Sequence, residues 1–271
     1  VKKDFLRQIV EDKKREIAVA KQLMPESRLR EKAFVPRKRR PFFKKLQHPG
    51  PFGVNIIAEI KRASPSKGDI RPDLDPAVYA AAYETGGAAA LSVLTDGPHF
   101  KGGPQDLSIA RTTASLPVLR KDFLISAYQI FESAVMAADA VLLIVRILSL
   151  QQLKDYLRLC DELALDALVE IHSESDIEKA SLAGARLIGI NNRNLKSFET
   201  DIETAVRMTS LLDKDQVAVA ASGIRSRKDI DLIIDSGIWN FLIGESLVRA
   251  EHPKEFLESL HGKQPASHPN P

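Results

Sequence analysis

Cysteine is nearly absent from this 271-residue chain. Cys160 stands alone, so neither an internal disulfide nor a cage of thiolates around a metal can form. A reducing cytoplasm is the expected location. Long apolar runs are missing too. AVLLIV at residues 140–145 has a strand's length, and no run approaches the roughly 18 residues a membrane helix needs. The opening VKKDFLRQIVEDKKREI is charged throughout, and no secretory leader is expected in it. No G-x-G-x-x-G or P-loop pattern occurs, which argues against a nucleotide-binding open sheet. The histidines show no metal-ligand spacing with Asp or Glu, and Ser222 has no His–Asp partners to make it a nucleophile. Neither a metal nor a cofactor is therefore expected. The net charge, +3, is too small to argue for nucleic acid.

What the chain does have is regular alternation. Short β-rich runs begin at residues 56 (IIAEIK), 90 (ALSVLT), 117 (PVLRKDF), 140 (AVLLIV), 167 (ALVEI), 187 (LIGINN), 217 (VAVAAS) and 241 (FLIGE). Helical patterns separate them. SLQQLKDYLRLCDELA, residues 149–164, places Leu150, Leu153, Leu157 and Cys160 on one stripe, which makes Cys160 a packed small hydrophobe. DPAVYAAAYETGG and SRKDIDLIIDSG open with Asp and Ser caps and close with Gly. Such alternation implies parallel strands with crossover helices, and eight units closed on themselves make an α/β fold of the (β/α)8 TIM-barrel type. A doubly wound open sheet is the structural alternative. The barrel is expected over residues 51–262. An N-terminal helical extension and basic linker, residues 1–50, precedes it, and a polar, Pro-rich tail, residues 263–271, is expected to be disordered. Six of the ten residues in RKRRPFFKKL, residues 37–46, are basic. That run reads as a solvated linker or a rim near an anionic site, with a nucleic-acid arm as the weaker reading.

The stretch IIAEIKRASPSKGDI, residues 56–70, carries the functional signal. Glu59 and Lys61 lie two apart on a strand, so both side chains project from one face at its end. In a barrel the chemistry sits where the C-terminal strand ends converge. Those ends supply Glu59, Lys61, Lys121, Glu170, Asn191, Arg193, Ser222, Gly223 and Gly244. Two Glu and two Lys at one mouth suit an anionic substrate that undergoes proton transfer. A structural ion-pair network is the competing reading.

At these residues the sequence resembles the indole-3-glycerol phosphate synthases of tryptophan biosynthesis. IAEIKRASPSKG is similar to the family's first-strand signature, and VLRKDF, VEIHSE, IGINNRNL, SGI and LIGESL follow in the family's order and spacing. The resemblance implies a carboxy-lyase. It would close the ring of 1-(2-carboxyphenylamino)-1-deoxyribulose 5-phosphate and release carbon dioxide and water to give indole-3-glycerol phosphate. It further implies four catalytic residues: Lys121 as general acid, Glu170 as base, Glu59 as an orienting or charge-stabilising group, and Lys61 as a partner of substrate carboxylate or phosphate that also contributes to proton transfer. Ser64, Asn191, Arg193 and Ser222 would be polar substrate contacts. Phe100, Phe123, Leu142 and Leu195 would form an apolar slot for the ring, although plain core packing is the competing reading for all four. Gly223, Gly244 and Glu245 would offer backbone N–H groups to the phosphate. The extension would close over the mouth and bring its basic residues near the substrate. His172 lies just past Glu170 and could reach the site, but it reads first as a loop histidine on the rim. A monomer or weak homodimer is expected, with no membrane contact.

The chain departs from the family pattern at Ala221, where Glu usually precedes Ser-Gly, and at His99 and Ala138, where Tyr and Gly are frequent. Loss of the Glu carboxylate predicts a weakened enzyme. Two other readings compete: another barrel enzyme acting on a phosphosugar, and a non-catalytic binder of phosphate ligands or nucleic acid.

Overall fold

The computed structural model describes residues 5–194 and 197–262. Its centre is a closed barrel of eight parallel strands: β1 (Asn55–Ile60), β4 (Ala90–Leu94), β5 (Val118–Lys121), β6 (Ala140–Ile144), β7 (Asp166–Ile171), β8 (Leu187–Asn191), β9 (Val217–Ala221) and β10 (Asn240–Ile243). β10 pairs with β1 and closes the ring. The two remaining strands, β2 (Ala63–Ser64) and β3 (Gly68–Asp69), form a small antiparallel hairpin in the loop after β1. Helices cross back outside the barrel, with the expected cap at Asp75 and another at Ser149. Asp75 accepts from the Ala77 N–H to start Pro76–Thr85, and Ser149 makes a capping box with Gln152 to start Leu150–Glu162.

Period-2 alternation divides the core in two. On β1, Ile56, Ala58 and Ile60 join the layer between strands and helices. Ile57 instead joins an inner cluster with Leu119, Leu142, Leu168, Leu187, Val219 and Leu242. The inner rows are therefore apolar low in the barrel and change to charged and amide groups at the C-terminal ends. Cys160 is buried in the outer layer, and burial pushes its thiol pKa up, as suits a packed hydrophobe.

The extension grips both ends of the barrel. α1 (Phe5–Leu23) reaches the mouth, and the Tyr128 hydroxyl donates to the Ala20 and Met24 carbonyls near its end. α2 (Glu26–Ala33) follows Pro25. The chain then descends to the opposite end, where α3 (Phe42–Leu46) inserts Phe42 and Leu46, both fully buried, into the inner cluster. A plug at the barrel's floor was not expected from the sequence.

The basic run lies on this floor, away from the mouth. Arg37 donates to the Ala33 and Leu163 carbonyls, Arg39 to Asp139, and Arg40 to Arg111, Ala114 and Leu116. The Arg40 and Phe43 N–H groups bond to the carboxylates of Asp139 and Asp166, at the starts of β6 and β7. Three arginines thus bond to backbone carbonyls on this floor, which corrects the expectation of a basic rim over the substrate. No described helix is long and apolar enough to cross a membrane. The tail beyond residue 262 lies outside the described residues.

Candidate active site

A cavity of about 470 Å³ opens at the C-terminal ends of the strands. Every residue expected at the site lines it except Leu195, which lies outside the described residues. Lys61 donates to Glu59 at 2.6 Å. Across the mouth, the Lys121 ammonium stands 3.4 Å from Glu170 Oε2, and the Asn191 amide donates to Oε1 at 3.2 Å. Phe100 and Phe123 form one wall with ring centroids 6.1 Å apart, and Leu142 lies beneath them in the inner cluster.

Glu59 and Glu170 are 4% and 5% exposed, so neither is a solvated rim charge. Burial disfavours both carboxylates, but Lys61 and Lys121 beside Glu59, and Lys121 beside Glu170, hold their pKa values below the usual range. Burial likewise disfavours the Lys121 cation. Glu170 and Glu59 overcome that, and its pKa lies above the ordinary lysine value. The balance therefore falls toward a charged, proton-bearing Lys121 facing charged carboxylates.

Two backbone features shape the opposite wall. Ser222 and Gly223 are both left-handed, with φ of 69° and 83°, which turns the chain sharply after β9. Gly244 follows β10, where an added Cβ would lie 2.9 Å from Lys61 Nζ and inside contact distance of Glu59 Oε1. The Glu59–Lys61 pair thus occupies the space where Gly244 lacks a side chain. Glu245 lies among cations, with Arg249 at 3.3 Å, Arg193 at 3.6 Å and Lys67 at 4.0 Å. Arg193 also donates to Ser66 Oγ at 3.1 Å, tying the β2–β3 loop to the end of β8.

Sequence reasoning missed several lining residues: Phe5 and Leu6 at the start of α1, Ser66, Phe198 and Arg225. Phe5 packs edge-on to Phe198 and His99, at 5.9 and 5.6 Å. A large aromatic opening an amphipathic helix was the available signal. The rest of α1 is anchored by Lys13, which is 2% exposed and paired with Asp96 at 2.8 Å and Asp122 at 3.0 Å. Asp122, adjacent to Lys121, also receives Arg120 and the Thr95 hydroxyl. His99 faces α1 through Asp12 at 3.1 Å and does not line the cavity. His172 is a correction. Its side chain is 2% exposed and 3.3 Å from Glu170, so it is packed against the site's carboxylate and is not a solvated rim histidine. Ala221 lines the cavity beside Asn191, its neighbour in register.

Comparison with known proteins bears on this arrangement. The family model for indole-3-glycerol phosphate synthase matches residues 6–260. A protein of that name from Desulfosudis oleivorans is 57% identical, covering 95% of this chain and 98% of its own length. Another from Syntrophobacter fumaroxidans is 53% identical, covering 96% and 98%. Among solved structures, a thiamine phosphate pyrophosphorylase from Pyrococcus furiosus aligns at a TM-score of 0.56 and 15% identity, over 76% of this chain and 93% of that one. That likeness concerns the fold alone. Together with a match spanning nearly the whole chain, the two bacterial relatives establish that the chain belongs to the indole-3-glycerol phosphate synthase family.

Proposed function

We propose that the chain converts 1-(2-carboxyphenylamino)-1-deoxyribulose 5-phosphate to indole-3-glycerol phosphate, with release of carbon dioxide and water. The observation that carries this reading is a buried, charged Lys121–Glu170 pair facing the Phe100–Phe123 wall. As the ring carbon attacks the ketone, the carbonyl oxygen becomes an alcohol and needs a proton. Lys121, held protonated by two carboxylates, is suited to give it. Carbon dioxide then leaves from the ring carbon that made the attack, and the bonding electrons return to the ring system. In the dehydration, Glu170 takes a proton from the substrate carbon beside the nitrogen, while the new hydroxyl gains a proton from one of the two lysines and departs as water. Glu59 anchors Lys61 and opposes positive charge that develops on the substrate nitrogen.

The ring lies against Phe100, Phe123 and Leu142, and the Leu195 position completes the slot by family resemblance alone. Backbone N–H groups at Gly223, Gly244 and Glu245 receive the phosphate, with Arg193 near. Ser64, Asn191 and Ser222 contact the polar chain. A phosphosugar isomerase would leave the aromatic wall without a role, and the arginines committed to floor carbonyls weaken the nucleic-acid reading.

The test is a fluorescence assay for product, with the parent beside Lys121→Ala and Glu170→Gln. Parent turnover with losses of about 10²-fold or more in both variants is expected, the usual scale for a positioned acid or base. A folded parent that binds substrate and forms no product would overturn the assignment.

A further inference from the structure

His172 has no assigned task, yet it is the titratable ring nearest the carboxylate proposed as base. The strand explains why. Glu170 and His172 are two residues apart at the end of β7, so both leave the same face. Nε2 lies 3.3 Å from Glu170 Oε1, the oxygen that Asn191 also contacts, while Lys121 approaches Oε2. The Glu170 carboxylate is therefore held at both oxygens. His172 itself is not among the residues that line the cavity, so its contact with the site runs through Glu170.

Four charged groups face this ring from the elements packed around it: Glu170 on β7, Lys121 on β5, Arg146 in the turn after β6, and Asp176 in the helix Glu174–Leu182. Asp176 fixes the segment, since its Oδ2 accepts the His172 N–H at 2.8 Å and Arg146 Nε at 3.1 Å. Burial lowers the imidazole's proton affinity more than Glu170 raises it, and Arg146 adds to the lowering, so the ring is neutral at neutral pH. Neither ring nitrogen makes a well-aligned hydrogen bond among the described residues. The tautomer with its proton on Nε2 leaves a donor 3.3 Å from the carboxylate, short of an aligned hydrogen bond, whereas the other would set two lone pairs against each other.

We propose that His172 is a positioning residue for Glu170, holding its carboxylate toward Lys121 while neutral and weakening it as a base once protonated. The acid limb of turnover then belongs in part to a ring that does not line the cavity. This rests on the role proposed above for Glu170, and the test separates the two.

Steady-state pH profiles are measured for the parent, His172→Leu and His172→Gln, with thermal unfolding of each. His172→Leu is expected to lower kcat about tenfold with KM within about twofold, as for a group acting only through the reacting carboxylate. His172→Gln, which keeps an N–H donor, restores most of kcat. In both, the acid inflection moves about half a unit or more lower, because no cation forms beside Glu170. An unchanged inflection with parental kcat in His172→Leu overturns the proposal, as does a fall in rate that only tracks the loss of folded protein. NMR titration of the His172 ring gives a readout independent of turnover. Its midpoint is expected to fall further in Glu170→Gln, where the anionic partner is gone, and an unmoved midpoint overturns the pairing. A parent without turnover but with a coupled midpoint would instead count against the proposed function.

Discussion

Adding one methyl group at Gly244 tests how the mouth is built. The new Cβ would lie 2.9 Å from Lys61 Nζ and 3.1 Å from Glu59 Cβ, and would overlap Glu59 Oε1. Glu59 is 4% exposed, so its carboxylate can retreat only into the cavity. Restoring ordinary contact requires a shift of about 1 Å, and misplacing a reacting group by that much costs about 10²-fold in rate. Overpacking adds roughly 1–3 kcal/mol of destabilisation. Gly244→Ala should therefore lower kcat/KM about 100-fold while the protein still folds, as read by product fluorescence beside urea unfolding.

A double-mutant cycle decides the cause. On a Glu59→Ala background the overlapping carboxylate is absent, so Gly244→Ala should cost much less there. An equal cost in both backgrounds would refute the steric argument. It would transfer the glycine's role to close approach of its backbone to phosphate.

Three further outcomes are expected. Ala221→Glu puts a carboxylate beside Asn191 and should raise kcat/KM roughly ten- to 150-fold, the scale of a charged hydrogen bond of about 1.5–3 kcal/mol; an unchanged value would refute the claim that Ala221 weakens the enzyme. Deleting residues 1–24 removes Phe5 and Leu6 from the cavity and should raise KM about tenfold or more, since losing one buried apolar side chain costs about 1.5–3 kcal/mol. Deletion through residue 45 should instead abolish folding, as judged by circular dichroism, because Phe42 is fully buried in the floor. Glu59, Glu170 and Asp122 have folded pKa values below their ordinary ones. Their contribution to stability is complete above the unfolded carboxylate pKa of about 4 and is lost as pH falls through the folded values, so the urea midpoint should drop steeply in that range.

The strand-end residues were legible because two local rules pointed the same way. Alternation put Glu59 with Lys61, and Asn191 with Arg193, on single faces, and parallel connections put those faces at one end. The same rule applied to V-E-I-H would have placed His172 beside Glu170. The sequence allowed His172 to reach the site but the loop reading was preferred, because a histidine after a strand was weighed by position without asking which face it left. The extension was legible only as helices. Whether a basic run covers the mouth or the floor depends on where the chain goes between α2 and α3, and that path is set by partners far away in sequence. Arg40 finds carbonyls about 70 residues later, and the Phe43 N–H finds Asp166. A guanidinium that satisfies buried carbonyls and one that awaits an anion have the same local sequence. Only the tertiary partner separates them, which is why charge patterning located the run and not its role.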